Sequence, residues 1–140
     1  MYPDIEDYRN PRKDYILPGI PLIVLKKLGI SQKPLVLKSN IIEKNKLNHK
    51  EVLLEDYNQI LYDGIQNVDI VLKTCEDDEY FNFIHIDEEL NIQILIELSE
   101  KKTQYEIVNF YKISKKSLKN RVKKALKKEL ITRCGHILIT

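Results

Sequence analysis

The sequence predicts an α+β fold in which amino-terminal helices pack on a four-stranded antiparallel meander, followed by a long basic carboxy-terminal helix. Three observations carry this. Residues 80–87, 90–98 and 104–113 are rich in β-branched and aromatic side chains and are separated by short polar connectors, the composition of strands. Ile92, Ile94, Ile96 and Leu98 alternate, so they share one face of the middle strand. From residue 114 onwards a helical apolar spacing is set among many lysines. Residues 68–74 have the same strand character, which brings the meander to four, about what a small domain needs for a stable sheet.

Taken in order, residues 1–13 hold Pro3 and Pro11 with mixed charge and little hydrophobic pattern, and read as a lead-in arm. Residues 22–28 fit either a strand or a short helix ended by Gly29. The chain thus divides into 1–33, an arm and first element, and 34–140, a single domain. Residues 33–38 read as an edge strand. Ser39 and Asn40 offer a cap for a helix over 41–48. A second helix over 54–65 has Leu54, Tyr57, Ile60 and Leu61 on one side, with Gly64 near its stop. Between these helices stand Lys46, His49 and Glu51.

Ser114 should cap the last helix. Leu118, Val122, Ala125, Leu126 and Leu130 fall at helical spacing, an apolar stripe suited to packing on the sheet. Residues 131–140 add a terminal strand bent at Gly135.

Residues 103–130 also admit a rival parse, as two helices of a winged-helix DNA-binding regulator. Period two over 105–111 favours the strand instead: Tyr105, Ile107, Asn109 and Tyr111 on one side, Glu106, Val108 and Phe110 on the other.

Composition narrows function. A chain of 140 residues supports one domain with a real core. It has no run of eighteen apolar residues, and its first residues are acidic where a signal peptide is basic and then apolar. A cytoplasmic protein with no membrane partner is expected. Cys75 and Cys134 are far apart and lack partners at metal-ligand spacing, so two inert thiols are expected. With four glycines, no phosphate-binding loop, no nucleophile elbow and no paired His, neither a nucleotide cofactor nor a metal site is expected. Net charge is +2, but Lys112 to Arg133 contains ten Lys or Arg and one acid, a local +9 that leaves −7 elsewhere. Such a split favours a polyanion on one face. His85 and His136 fit satisfied structural positions.

The order of elements then becomes informative. Lys46-x-x-His49-x-Glu51, followed by Tyr57-Asn-Gln-Ile-Leu and by strands closing on residues 105–117, resembles the barnase-EndoU-colicin-RelE-like (BECR) nucleases. The likeness is to the branch found in phages and mobile elements, and it covers roughly residues 34–130. It implies a metal-independent endoribonuclease of toxin or effector type, needing no cofactor. Such an enzyme cleaves RNA by 2′-hydroxyl attack to leave a 2′,3′-cyclic phosphate, and is held in check by a cognate immunity or antitoxin protein. On the matching positions it implies His49 as acid/base, Lys46 beside the phosphate, Asn109 and Tyr111 as hydrogen-bond donors, and Lys115, Lys116 and Lys119 as backbone-binding cations. The pattern departs at Asn109, where a hydroxyl or a cation is usual. The alternatives are the winged-helix regulator and a non-catalytic binding or immunity module.

Overall fold

A computed structural model describes residues 14–48, 57–73, 79–86, 91–127 and 137–138. The segment that decides between the two parses, Tyr105–Ile113, is a strand, so the element directly before the basic helix is not the helix that a winged helix requires there. In chain order the elements are β1 (Tyr15–Leu17), α1 (Leu22–Leu28), β2 (Leu35–Leu37), α2 (Ser39–Asn48), α3 (Tyr57–Gln66), β3 (Ile70–Lys73), β4 (Tyr80–Ile86), β5 (Asn91–Glu97), β6 (Tyr105–Ile113), α4 (Lys115–Lys127) and β7 (Ile137–Leu138). The class is mixed α+β.

The sheet is larger than the four strands expected. Among the described residues it holds seven, in the order β1-β2-β6-β5-β4-β3-β7. Antiparallel pairing runs from β3 through β4 and β5 to β6. β7 extends the sheet beyond β3, and β2 joins β6 in parallel, Leu35 opposite Tyr105 and Val36 opposite Glu106. The expectation of an edge strand at 33–38 is therefore corrected. β1 covers the outer side of β2, and Leu35, Val36 and Leu37 are all buried. A short strand that is apolar at every position suits an interior place, covered on both faces.

Residues 22–28 resolve as a helix. Pro21 accepts the amides of Val24 and Leu25, and Gly29, at φ 70°, ends the helix. The Ile30 amide then returns to the Leu25 carbonyl, a left-handed stop that glycine adopts without strain. The cap expected from Ser39 and Asn40 is corrected too. α2 begins at Ser39, whose amide donates to Asp14 Oδ1 at 2.7 Å. A carboxylate from just before β1 thus serves the amino end of α2, where negative charge is favourable.

Two apolar clusters lie on opposite faces of the sheet. On one face, Val24 and Leu25 of α1, Ile42 of α2 and Ile60, Leu61 and Ile65 of α3 pack on Val71, Phe83, Ile92, Ile94, Ile96, Ile107 and Phe110. Gly64 lies in the last turn of α3, near its stop as expected, and a Cβ there would land on Ile94 Cδ1 and 3.0 Å from Cγ1. Only glycine lets the helix come this close. On the other face Ile70, Leu72, Ile84 and Ile113 meet Leu118 and Val122 of α4.

A bulge in β6 sets which side chains reach which face. Leu95 pairs with Asn109 and Ile96 with Ile107, so Val108 is an extra residue. An inserted residue reverses the alternation beyond it. Tyr105, Ile107 and Phe110 accordingly all join the core under α1–α3, whereas uninterrupted alternation separates Phe110 from the first two. The expected single face of Tyr105, Ile107, Asn109 and Tyr111 is corrected on that ground. Tyr105 is held by its hydroxyl donating to the Ser31 carbonyl at 2.6 Å, and burial pushes its phenol above the ordinary tyrosine value. Beside its ring, Lys33 Nζ donates to the carbonyls of Ser99, Glu100 and Lys102 at 2.8–3.1 Å, which fixes the turn entering β6.

Candidate functional site

α4 starts where the sequence places its cap. Ser114 Oγ accepts the Ser117 amide at 3.0 Å, filling one of the donors a helix start leaves unpaired. Leu118 and Val122 turn one side of the helix onto the sheet, and this leaves Lys115, Lys116, Lys119, Lys123 and Lys124 exposed. The side chains of Ala125 and Leu126, and residue Leu130, expected in the same stripe, lie outside the described residues.

Beneath the helix is a polar trio. Gln93, 1 % exposed, donates from Nε2 to the Tyr111 hydroxyl at 2.6 Å. Arg121 reaches the same hydroxyl at 3.1 Å and also donates to Gln93 Oε1. Its guanidinium carbon sits 5.6 Å from the Tyr111 ring centroid, within reach of cation–π attraction. Gln93 and Tyr111 are cross-strand partners, so β5, β6 and α4 meet at one point. A pocket of about 400 Å³ opens beside it, lined by Ser114, Lys116, Ser117, Asn120, Arg121 and Lys124. A second, of about 550 Å³, is lined by Ile86, Asn91, Lys115, Lys116, Leu118 and Lys119.

Asn109 has different neighbours. Asn45, buried on α2, extends Nδ2 to the Phe110 carbonyl and lies 3.5 Å from Asn109 Oδ1. β2 pairs only with the first two residues of β6, and Asn45 takes up backbone further along the strand. Asn109 therefore engages α2, and Tyr111 engages α4. Lys46 belongs to α2, but its side chain lies outside the described residues, as does His49. Lys115, Lys116 and Lys119 stand exposed on α4 as the sequence leads one to expect.

Charge is unevenly laid out along β6. At its start, Glu106 pairs with Lys38 at 3.1 Å, and Glu97 of β5 pairs with Lys102. That hydrogen bond holds the Glu97 carboxyl below its ordinary value, against burial, with Tyr80 assisting, and it raises Lys102. At the far end of the strand α4 contributes cations only.

His85 is satisfied within the structure. Its Nδ1 lies 2.7 Å from the Asn67 carbonyl oxygen and 3.1 Å from Asp69 Oδ2. Among the described residues no three His, Cys, Asp or Glu side chains gather as metal ligands, and no helix is long and apolar enough to cross a membrane.

Gln93 and Arg121 are the residues that the sequence alone does not single out. A signal exists for the first: the alternation that puts Ile92, Ile94 and Ile96 on one face puts Asn91 and Gln93 on the other. Two amides on the covered face of a central strand need partners. Arg121 is hidden among lysines of like charge, though it alone of them carries a planar fork of donors.

Compared with known proteins, residues 3–125 match the family model described as large polyvalent protein-associated domain 13. No curated protein and no solved structure matches the chain.

Proposed function

Since the chain belongs to the large polyvalent protein-associated domain 13 family, and so to the phage and mobile-element domains, we propose that it binds RNA along α4 and cleaves it. The observation that carries this reading is the single-signed surface of α4, anchored to the sheet by Arg121. Exposed lysines on one helix suit the regular charge of a phosphate backbone, and contacts of that kind position a strand without reading its sequence.

For the cleavage step, the 2′-oxygen bonds to phosphorus while the bond to the 5′-oxygen breaks, leaving a cyclic phosphate and a 5′-hydroxyl. His49 is assigned the proton transfer, since an imidazole titrates near neutral pH. Lys46 is assigned the extra negative charge at phosphorus, with Asn109 donating to its oxygens, and Tyr111, held under α4 by Gln93 and Arg121, is assigned to the strand that α4 carries. The contact of Asn45 with Asn109 supports this grouping, because it brings α2, one residue before Lys46, against β6. Such an activity calls for a cognate inhibitor, and an acidic protein surface is the chemistry that complements α4.

The test is incubation of the purified protein with end-labelled RNA in EDTA, followed by end-group analysis. Cyclic phosphate ends, lost in His49→Ala, are expected. Intact RNA at micromolar protein overturns the cleavage assignment, and if salt-sensitive binding persists the domain is a non-catalytic RNA-binding module. Absence of binding overturns both.

A further inference from the structure

We propose that the pocket lined by Arg121 takes the terminal phosphate of an RNA, a phosphomonoester, and so fixes where a strand begins or ends on α4. This rests on the reading that α4 carries RNA. The cations Lys116, Arg121 and Lys124 line that pocket together with the hydroxyls of Ser114 and Ser117, and among the described residues no carboxylate does. Among those residues, too, none of these cations pairs with an acid. Arg121 makes this more than a run of surface lysines. Its Nη1 donates to the Tyr111 hydroxyl and to Gln93 Oε1, and Gln93 is buried. One corner of the guanidinium is thereby fixed against the sheet. Its donors on Nε and Nη2 have no acceptor among the described residues. A guanidinium already held in place can offer those donors to a phosphate at little further cost in side-chain freedom. Ser117, Arg121 and Lys124 follow one another at single-turn spacing along α4, so hydroxyl, guanidinium and ammonium are neighbours.

Charge selects the ligand. A phosphodiester within a strand carries a single negative charge, for which lysines strung along a helix suffice. A phosphomonoester carries about −1.5 to −2 at neutral pH, which answers several cations gathered at one place. The pocket, of about 400 Å³, is large for a phosphate alone and admits the terminal sugar with it. Through Ser114, Lys116 and Ser117 it reaches the first turn of α4, where the amide dipoles also favour an anion. The proposed cleavage leaves a cyclic phosphate and a 5′-hydroxyl, neither of them a phosphomonoester. The ligand is therefore an RNA whose end was made by a different reaction, a hydrolysis or a phosphoryl transfer, and the domain's own fresh ends are not retained in the pocket.

The experiment uses the intact chain and internally labelled 2′-O-methyl oligomers, which lack the attacking hydroxyl and so report binding alone. Octamers with a 5′-phosphate or a 3′-phosphate are compared with a hydroxyl-ended nonamer, which holds the same number of phosphates. A phosphorylated octamer should bind about tenfold more tightly than the nonamer, roughly what one charge-assisted hydrogen bond contributes. Lys124→Gln should erase that ratio. Lys119→Gln, which removes an equal charge outside the pocket, should weaken every oligomer and keep the ratio. Circular dichroism of both variants checks the fold. Equal wild-type affinity for octamers and nonamer overturns the end site and leaves RNA binding standing, and a ratio that Lys119→Gln lowers as much as Lys124→Gln does the same. If no oligomer binds, the reading of α4 fails, and inorganic phosphate at constant ionic strength then decides the pocket: a shift of the Arg121 Nε–H resonance sustains a phosphate site with a source other than RNA, and none overturns it.

Discussion

Arg121 donates to the hydroxyl of Tyr111 at 3.1 Å and lies alongside the same ring. With Gln93 Oε1 as its second acceptor, the guanidinium fixes the rotation of α4 on the sheet. That rotation decides which lysines face outward. Arg121→Met would leave Gln93 Oε1 without this donor in a dry position, at a cost of about 1–3 kcal/mol, seen as a lower urea midpoint with unchanged slope. Arg121→Lys should recover only part of the loss, because an ammonium does not span two acceptors as a planar fork does.

Gly64→Ala should destabilise by about 1–3 kcal/mol, since its Cβ would strike Ile94 Cδ1 and force the helix off the sheet. Ile94→Val removes that methyl carbon. When combined with Ile94→Val the alanine should therefore cost less, and a double-mutant cycle by chemical denaturation measures the difference. Additive effects would show that the clash is relieved elsewhere.

Glu97 and Lys102 make stability depend on pH in a defined direction. The Glu97 carboxyl is depressed chiefly by its hydrogen bond to Lys102. Its contribution is full above the ordinary glutamate value and is lost as pH falls through the depressed one. Lys102 is raised by the same bond, so its contribution is full below the ordinary lysine value and disappears as pH rises through the raised one. Glu97→Gln should thus lower the melting temperature at neutral pH, and the gap to wild type should close in acid. A gap that stays constant from neutral pH down to about pH 3, below the ordinary glutamate value, would contradict this.

Salt dependence tests the surface of α4. Replacing Lys115, Lys116 and Lys119 by Gln should flatten the plot of log affinity for single-stranded RNA against log salt by roughly 0.7 per lost phosphate contact. Melting temperature should change little, because all three side chains are exposed.

Much of this architecture is legible in the sequence, and the misses share a cause. The strands at 80–86, 91–97 and 105–113 announce themselves through local period two and β-branched content, and Ser114 through its place before an apolar helical stripe. What is not legible depends on partners distant in sequence. The bulge at Val108 leaves no mark, since 105–111 fits unbroken alternation equally well. Nothing around Leu35 announces that β6 lies beside it, and nothing near Ser39 points to Asp14. In the candidate site, Tyr111 and the α4 lysines are legible from pattern and charge. The amides of Asn91 and Gln93 are hinted at by alternation, and Arg121 is masked by its like-charged neighbours.

The parallel pairing of Leu35 with Tyr105 bears on how the polypeptide is made. On a ribosome β1, α1 and β2 emerge well before the strand they need, so the leading half waits with Leu35 and Leu37 uncovered until β6 has left the exit tunnel. Closure of so long a loop is slow, and in the interval those leucines are open to chaperones and to other nascent chains. A fragment ending before residue 105 should never settle into this structure.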